Sequence, residues 1–152
     1  MARIKHIAIT TQDVEGTTQF YVDVMGLKKV GEVSSPNATG YYLSDGNINV
    51  AILNFTNEGA AGKEFGTGYS GIHHIGFEVD DLKEMQSRLV AAGSAPRDDI
   101  NQALNLNMGT PRHANVEVKY RAPDNVIIDI SETGWVGTHG LEEEAPKLAA
   151  ER

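Results

Sequence analysis

The chain has 152 residues, a formal net charge of −8 and no cysteine, a size that suits one domain with its own core. The missing cysteines exclude disulfides, zinc–thiolate centres and thiol nucleophiles, and the acidic balance argues against a nucleic-acid-binding surface. No apolar run approaches the roughly 18 residues of a membrane span, and the N-terminus lacks the apolar stretch of a signal peptide; the expectation is a cytoplasmic protein with neither membrane nor nucleic-acid partners.

The first predicted element opens "HIAITTQDV" at His6. Its alternation predicts a strand with Ile7 and Ile9 on one face and His6, Ala8 and Thr10 on the other. Asp13 then stands as N-cap of a helix carrying Val14, Phe20, Tyr21, Val24 and Leu27, with Gly26 as its stop. Strand-like segments follow at about 28–33, 39–44 and 47–54, with "SDGN" (44–47) as a hairpin turn. A glycine-rich linker covers about 56–71.

"GIHHIGFEVDDL" (71–82) then repeats the opening frame. His74 is followed by Ile, a small residue and, seven places on, Asp81, as His6 is followed by Asp13. The repeat predicts a strand with Ile75, Phe77 and Val79 opposed to His74, Gly76 and Glu78. A helix through Leu82, Met85 and Leu89 follows, closed by Gly93. His73 reads as facing away from His74, with a structural or interface role. The stretch 94–114 reads as loop, with His113 on a surface or lid. It leads to a strand over 115–121 with Glu117, Lys119 and Arg121 on one face, a turn at "APDN" (122–125) and a strand over 126–132. In that last strand Ile127, Asp129 and Ser131 oppose Ile128 and Ile130.

Each half therefore reads as βαβββ: an α+β chain with module 1 at about 4–55 and module 2 at about 72–133. Residues 134–152 form a C-terminal tail with no assigned chemistry and His139 solvated in it. The bulky strand faces are expected to pack on the helices, and the small and polar faces to line a wet cavity. Two such modules side by side bring His6, His74 and Asp129 toward one place. No nucleotide-type glycine loop, lipase elbow or kinase signature accompanies them.

"HIAI" with its Asp (6–13), "GIHHIGFEVDDL" (71–82) and "RAPDNVIIDIS" (121–131) together resemble the vicinal oxygen chelate superfamily over residues 4–133. That superfamily includes glyoxalase I, methylmalonyl-CoA epimerase, extradiol dioxygenases and the fosfomycin and bleomycin resistance proteins; residues 71–81 are most similar to its epimerase and glyoxalase-like branches. The resemblance implies a cupped mixed sheet around one divalent metal ion (Fe, Mn, Ni, Co or Zn), and a homodimer. It carries ligand roles to His6, His74 and Asp129, the last standing where Glu is usual. Ala51 stands where a fourth ligand is expected, and Asn49, next along that face, is its only substitute.

The chemistry implied is chelation of a small oxygen-rich substrate through two adjacent oxygens, with stabilisation of an enolate-like intermediate by a lyase or isomerase. Ala51 removes one candidate base, which leaves Glu117 or Glu78, with Lys119 assisting proton transfer. An Fe(II)-dependent extradiol-type dioxygenase is the alternative and suits a three-ligand set, although Lys119 stands where ring-cleavers carry Tyr. A non-catalytic drug- or metabolite-binding protein is a further alternative, against which the retained ligand set argues.

Overall fold

The computed structural model describes residues 1–106 and 117–141. His113, the start of the predicted 115–121 strand and the tail beyond 141 lie outside them. Module 1 comprises β1 (Arg3–Thr10), α1 (Val14–Asp23), β2 (Lys28–Ser34), β3 (Ala38–Ser44) and β4 (Asn49–Phe55). Module 2 comprises β5 (Gly71–Glu78), α3 (Leu82–Ala91), β6 (Val118–Arg121) and β7 (Ile127–Ser131). Both predicted N-caps form: the Asp13 carboxylate accepts from the Gly16 N–H and that of Asp81 from the Glu84 N–H, each at 3.0 Å. Gly26 and Gly93 follow the two helices with left-handed φ of 77° and 79°, the conformation a glycine stop supplies.

The strands make one seven-stranded mixed sheet in the order β2-β3-β4-β1-β5-β7-β6. β1 runs parallel to β4, β5 runs parallel to β7, and the antiparallel β1–β5 pair joins the modules. The "SDGN" turn is held by the Asp45 carboxylate, which accepts from the N–H groups of Asn47 and Ile48 at 2.8 Å. In "APDN" the turn needs left-handed backbone at Asp124 and Asn125, φ 61° and 62°; these are the residue types that tolerate it.

Two segments read as irregular contain short helices: α2 (Glu58–Ala61) in the linker and α4 (Asp98–Ala103) within 94–114. Neither is long enough to show a 3.6-residue periodicity. In module 2, among the described residues, the first strand after the helix is reduced to a single bridge, Pro96 to Tyr120. The Arg97 N–H donates to the Lys119 carbonyl there, and proline can donate nothing to extend the ladder.

Packing departs from expectation in one respect. The concave face, predicted to be wet, carries a buried apolar cluster of Ala8, Ala38, Tyr42, Ala51, Leu53 and Phe55, covered by Ala60, Ala61 and Val136. Much of the convex face along β1 and β5 is only half-buried, and Ile4 and Ile72 are 53% and 63% exposed. The cause is coverage. α1 packs on β3 and β4, and Leu82, Met85 and Leu89 of α3 pack with Val79, Val118, Tyr120 and Ile130. The central seam lies between those two patches. Phe77 and Ile128 join the α3 cluster as partly buried members.

The α3 cluster gives a test of this face assignment. Ile130→Ala removes a side chain 2% exposed and should cost about 2–5 kcal/mol in urea unfolding. Ile72→Ala, on the uncovered seam, should cost within about 0.5 kcal/mol.

Candidate metal centre

Strand register explains why three distant residues meet. Ala8 pairs with Ala51, and Gly76 pairs with Asp129. Ala8 and Gly76 each lie two residues after their module's histidine, so Ala51 and Asp129 are equivalent positions of the repeat. The antiparallel seam pairs Ala8 with His74 and His6 with Gly76, which sets both imidazoles on the concave face. His6 Nε2 and His74 Nε2 come within 3.2 Å, and His74 Nε2 lies 3.2 Å from Asp129 Oδ2. One ligand atom from each of His6, His74 and Asp129 lies within 4.8 Å of the others, and all three residues are buried.

The fourth position is indeed Ala51, whose methyl cannot ligate. Asn49 does not substitute for it. It stands opposite His6, where its Oδ1 accepts from the His6 Nδ1–H at 2.8 Å and its Nδ2 donates to the Val136 carbonyl at 2.9 Å. Both ends of the amide are engaged, so Asn49 orients His6 and leaves the His6 Nε2 lone pair facing His74.

The residues fit a divalent ion. Asp129 Oδ1 is buried and accepts no well-formed hydrogen bond, although the Lys119 ammonium lies 3.2 Å away, so it keeps lone-pair capacity for an ion. Two imidazoles and a carboxylate are donors that suit Fe, Mn, Co, Ni or Zn. Burial, then the neighbouring His74, lowers the His6 pKa to about 3; burial lowers that of His74 to about 4. Both rings are therefore neutral at physiological pH, the form that ligates. Burial alone would raise the Asp129 pKa, but His74 and the Lys119 ammonium outweigh it and hold the carboxyl below its usual range.

Of the residues assigned to proton handling, the structure brings Lys119 to this centre. Its Nζ lies 3.2 Å from Asp129 Oδ1 and donates to the Glu117 carbonyl at 3.0 Å. Glu78 and Glu117 sit one alternation further along the same face. Glu78 pairs with Ser131 in register and meets Arg3 and His139, each at 3.4 Å; Glu117 accepts from the Thr133 hydroxyl at 3.3 Å. The cavity of about 80 Å³ beside the centre is lined by His6, His74, Asp129 and Lys119 at one end. Ala38, Tyr42, Leu53, Phe55 and Leu104 line it further on, with Ser35 and Asn37 of the β2–β3 connection. Neither Glu78 nor Glu117 lines it.

Two features escaped the sequence reading. His73, expected to face away, lies 2.8 Å from His74, Nδ1 to Nδ1. The start of the tail, given no chemistry, crosses the concave face. Trp135 stacks on His6 with centroids 4.8 Å apart and planes within 2°, and Ser44 and Gly46 hold the carbonyl of Gly137 and the N–H of Gly140. A lone Trp soon after the last strand was the available signal. Gly76 makes room for it, because a Cβ there would lie 2.7 Å from both the indole and His6 Cβ.

Residues 3–129 match the Glyoxalase/Bleomycin resistance protein/Dioxygenase superfamily, and the chain belongs to that family. A curated relative, the ethylmalonyl-CoA/methylmalonyl-CoA epimerase of Cereibacter sphaeroides, is 29% identical over 98 residues, 62% of this chain and 73% of the relative. Among solved structures, a methylmalonyl-CoA epimerase variant of Streptomyces coelicolor in complex with 2-nitronate-propionyl-CoA superposes with a TM-score of 0.64. It is 20% identical, over 84% of this chain and 94% of that one. The methylmalonyl-CoA epimerase of Mycobacterium tuberculosis gives 0.62 at 19% identity, over 84% and 85%. The solved structures share the fold: a mixed α+β chain around one curved sheet. No helix among the described residues is long and apolar enough to cross a membrane.

Two outcomes follow from the packing and the charge state. Gly76→Ala should cost about 1–3 kcal/mol and change the fluorescence of the single tryptophan as the indole leaves His6. In metal-stripped protein, an unfolded chain takes protons on His6 and His74 below about pH 6.5, whereas the folded chain resists until about 3 and 4. The stability from these neutral rings is full above about pH 6.5 and lost as pH falls. Thermal melts should show Tm falling through that window, less steeply in His6→Asn.

Proposed function

We propose that the protein is a metal-dependent isomerase of the epimerase type, acting on a substrate whose two chelating oxygens flank the reacting carbon. The observation that carries this reading is the buried convergence of His6, His74 and Asp129 at one end of a cavity whose remaining lining is largely apolar. The epimerase relatives support it and suggest the substrate class: a thioester of a substituted malonic acid, whose carboxylate and thioester carbonyl stand on either side of one acidic C–H. His6, His74 and Asp129 would hold one divalent ion, which supplies Lewis-acid polarisation of the chelated oxygens.

The chain's own groups then divide the remaining work. Lys119, held by Asp129, brings an ammonium to the substrate's oxygens, favouring an anion and keeping a proton at Nζ within the cavity. Tyr42 comes from β3, near the other end of the strand order, and is the phenol lining the same cavity. Inverting a carbon needs a proton removed from one face by an unprotonated group and one returned to the other face by an acid; the step balances when Tyr42 enters as phenolate and takes the α-proton while the Lys119 ammonium, on a different wall, returns one. Glu117 and Glu78, outside the lining, are given no part in the proton transfer. The apolar wall of Ala38, Leu53, Phe55 and Leu104 excludes water from the acyl group, which strengthens every electrostatic contact there.

One observation favours a second reading. Ala51 leaves two imidazoles and one carboxylate, a set shared by Fe(II) oxygenases. Dioxygen separates the two. Under strict anaerobiosis, with cobalt(II) added, the protein should exchange the α-hydrogen of methylmalonyl-CoA or ethylmalonyl-CoA with deuterated water. Lys119→Met and Tyr42→Phe should each slow exchange about 100-fold or more, while Glu117→Gln should leave it near the native rate. Oxygen uptake stoichiometric with a catechol-type substrate, seen only with iron, would replace the isomerase by the oxygenase.

A further inference from the structure

β5 carries two histidines in succession, and strand alternation would send them to opposite faces. In the structure Ala8 pairs with His74 but Ile9 with Ile72, so one step of β1 stands against two of β5. His73 is the extra residue of a β-bulge, a device that re-aims a side chain. It is 3% exposed, with the rings of Phe55 and Phe65 at 5.0 and 4.7 Å. Its Nε2 donates to the Ala61 carbonyl at the end of α2, at 2.6 Å, while its Nδ1 lies 2.8 Å from His74 Nδ1.

The direction of the second bond follows from the first. A carbonyl oxygen only accepts, so His73 Nε2 carries a proton. Enclosed by Phe55 and Phe65 at 3% exposure, the ring sits in apolar surroundings that favour its neutral form, and its Nδ1 therefore holds a lone pair. The proton between the rings must then come from His74. We propose that His73 is a positioning residue: through the bulge it fixes His74 as the Nδ1–H tautomer, so that Nε2 faces His6 and Asp129 as a free lone pair ready to ligate. The need is specific, because Asp129 Oδ2, 3.2 Å from His74 Nε2, would otherwise draw the proton onto the ligating nitrogen. Asn49 acts on His6 in the same way, so each imidazole has its tautomer set from behind. The proposal rests on the reading of His6, His74 and Asp129 as a metal set, and its test is independent of any activity.

His73→Phe keeps a ring in the Phe55–Phe65 cage and removes both hydrogen bonds. His73→Gln keeps an acceptor for His74 and a donor for Ala61. Nitrogen-15 NMR of the metal-stripped native protein should show His74 protonated on Nδ1, with a pyridine-like Nε2. Zinc(II) affinity, measured by chelator competition, should fall about 10–100-fold in H73F and far less in H73Q, with native circular dichroism in both. His74 protonated on Nε2 in the native protein would overturn the proposal, as would undiminished zinc affinity in folded H73F or equal losses in the two variants. If H73F does not fold, the tautomer seen in the native protein decides alone. Native zinc binding without isomerase activity would remove the functional reading and leave this one standing.

Discussion

Two buried imidazoles that meet nitrogen to nitrogen are the constraint on which the rest of this structure turns. His6 Nε2 and His74 Nε2 are 3.2 Å apart, and neither can donate to the other while the single proton of each ring stays on Nδ1, donated to Asn49 and His73. Two lone pairs facing each other in a desolvated pocket repel, and a shared cation removes the repulsion. Asp129 supplies the countercharge, and its Oδ1, beside the Lys119 ammonium at 3.2 Å but without a well-formed hydrogen bond, keeps lone-pair capacity for the same cation. The fold keeps this costly arrangement because the β1–β5 seam and the parallel β5–β7 pair over-determine where the three residues stand. Buried polar groups left unsatisfied would otherwise cost about 1–3 kcal/mol each.

The two modules share a plan but have diverged in use. Module 2 gives its last strand a carboxylate at Asp129 and its neighbour an ammonium at Lys119. Module 1 gives the equivalent position a methyl at Ala51 and lines the adjoining cavity with Ala38, Leu53 and Phe55. One half thus gathers charge and the other an apolar wall. The C-terminal segment ties the halves together by running from β7 across to the β3–β4 turn, with Trp135 stacked on His6. Its removal would expose a histidine whose neutrality depends on burial.

Much of this was legible in the sequence, for a physical reason. Side-chain alternation and helix capping are local, and a repeated frame doubles the signal, so Asp13, Asp81, His6, His74 and the Asp129–Ala51 equivalence could be read from spacing and resemblance. What could not be read depends on non-local geometry. The bulge at His73 is a one-residue register shift that only the partner strand reveals. Trp135 reaches His6 across roughly the whole chain, and only the absence of a Cβ at Gly76 admits it. For Glu78 and Glu117 the sequence offers the strand face and the absence of a carboxylate at Ala51. The face was a sound guide to orientation, but it did not show that the cavity bends toward module 1 and leaves both carboxylates beyond its lining.

The central claim is that three protein side chains, and no fourth, hold a divalent ion. X-ray absorption of the cobalt(II)-loaded protein tests it most directly. Two imidazole nitrogens are expected, with the remaining coordinating atoms oxygen, and, in Asp129→Asn, weakened binding with both imidazoles retained. A site with one imidazole or none, or one unchanged when His6 or His74 is replaced by Ala, would contradict it.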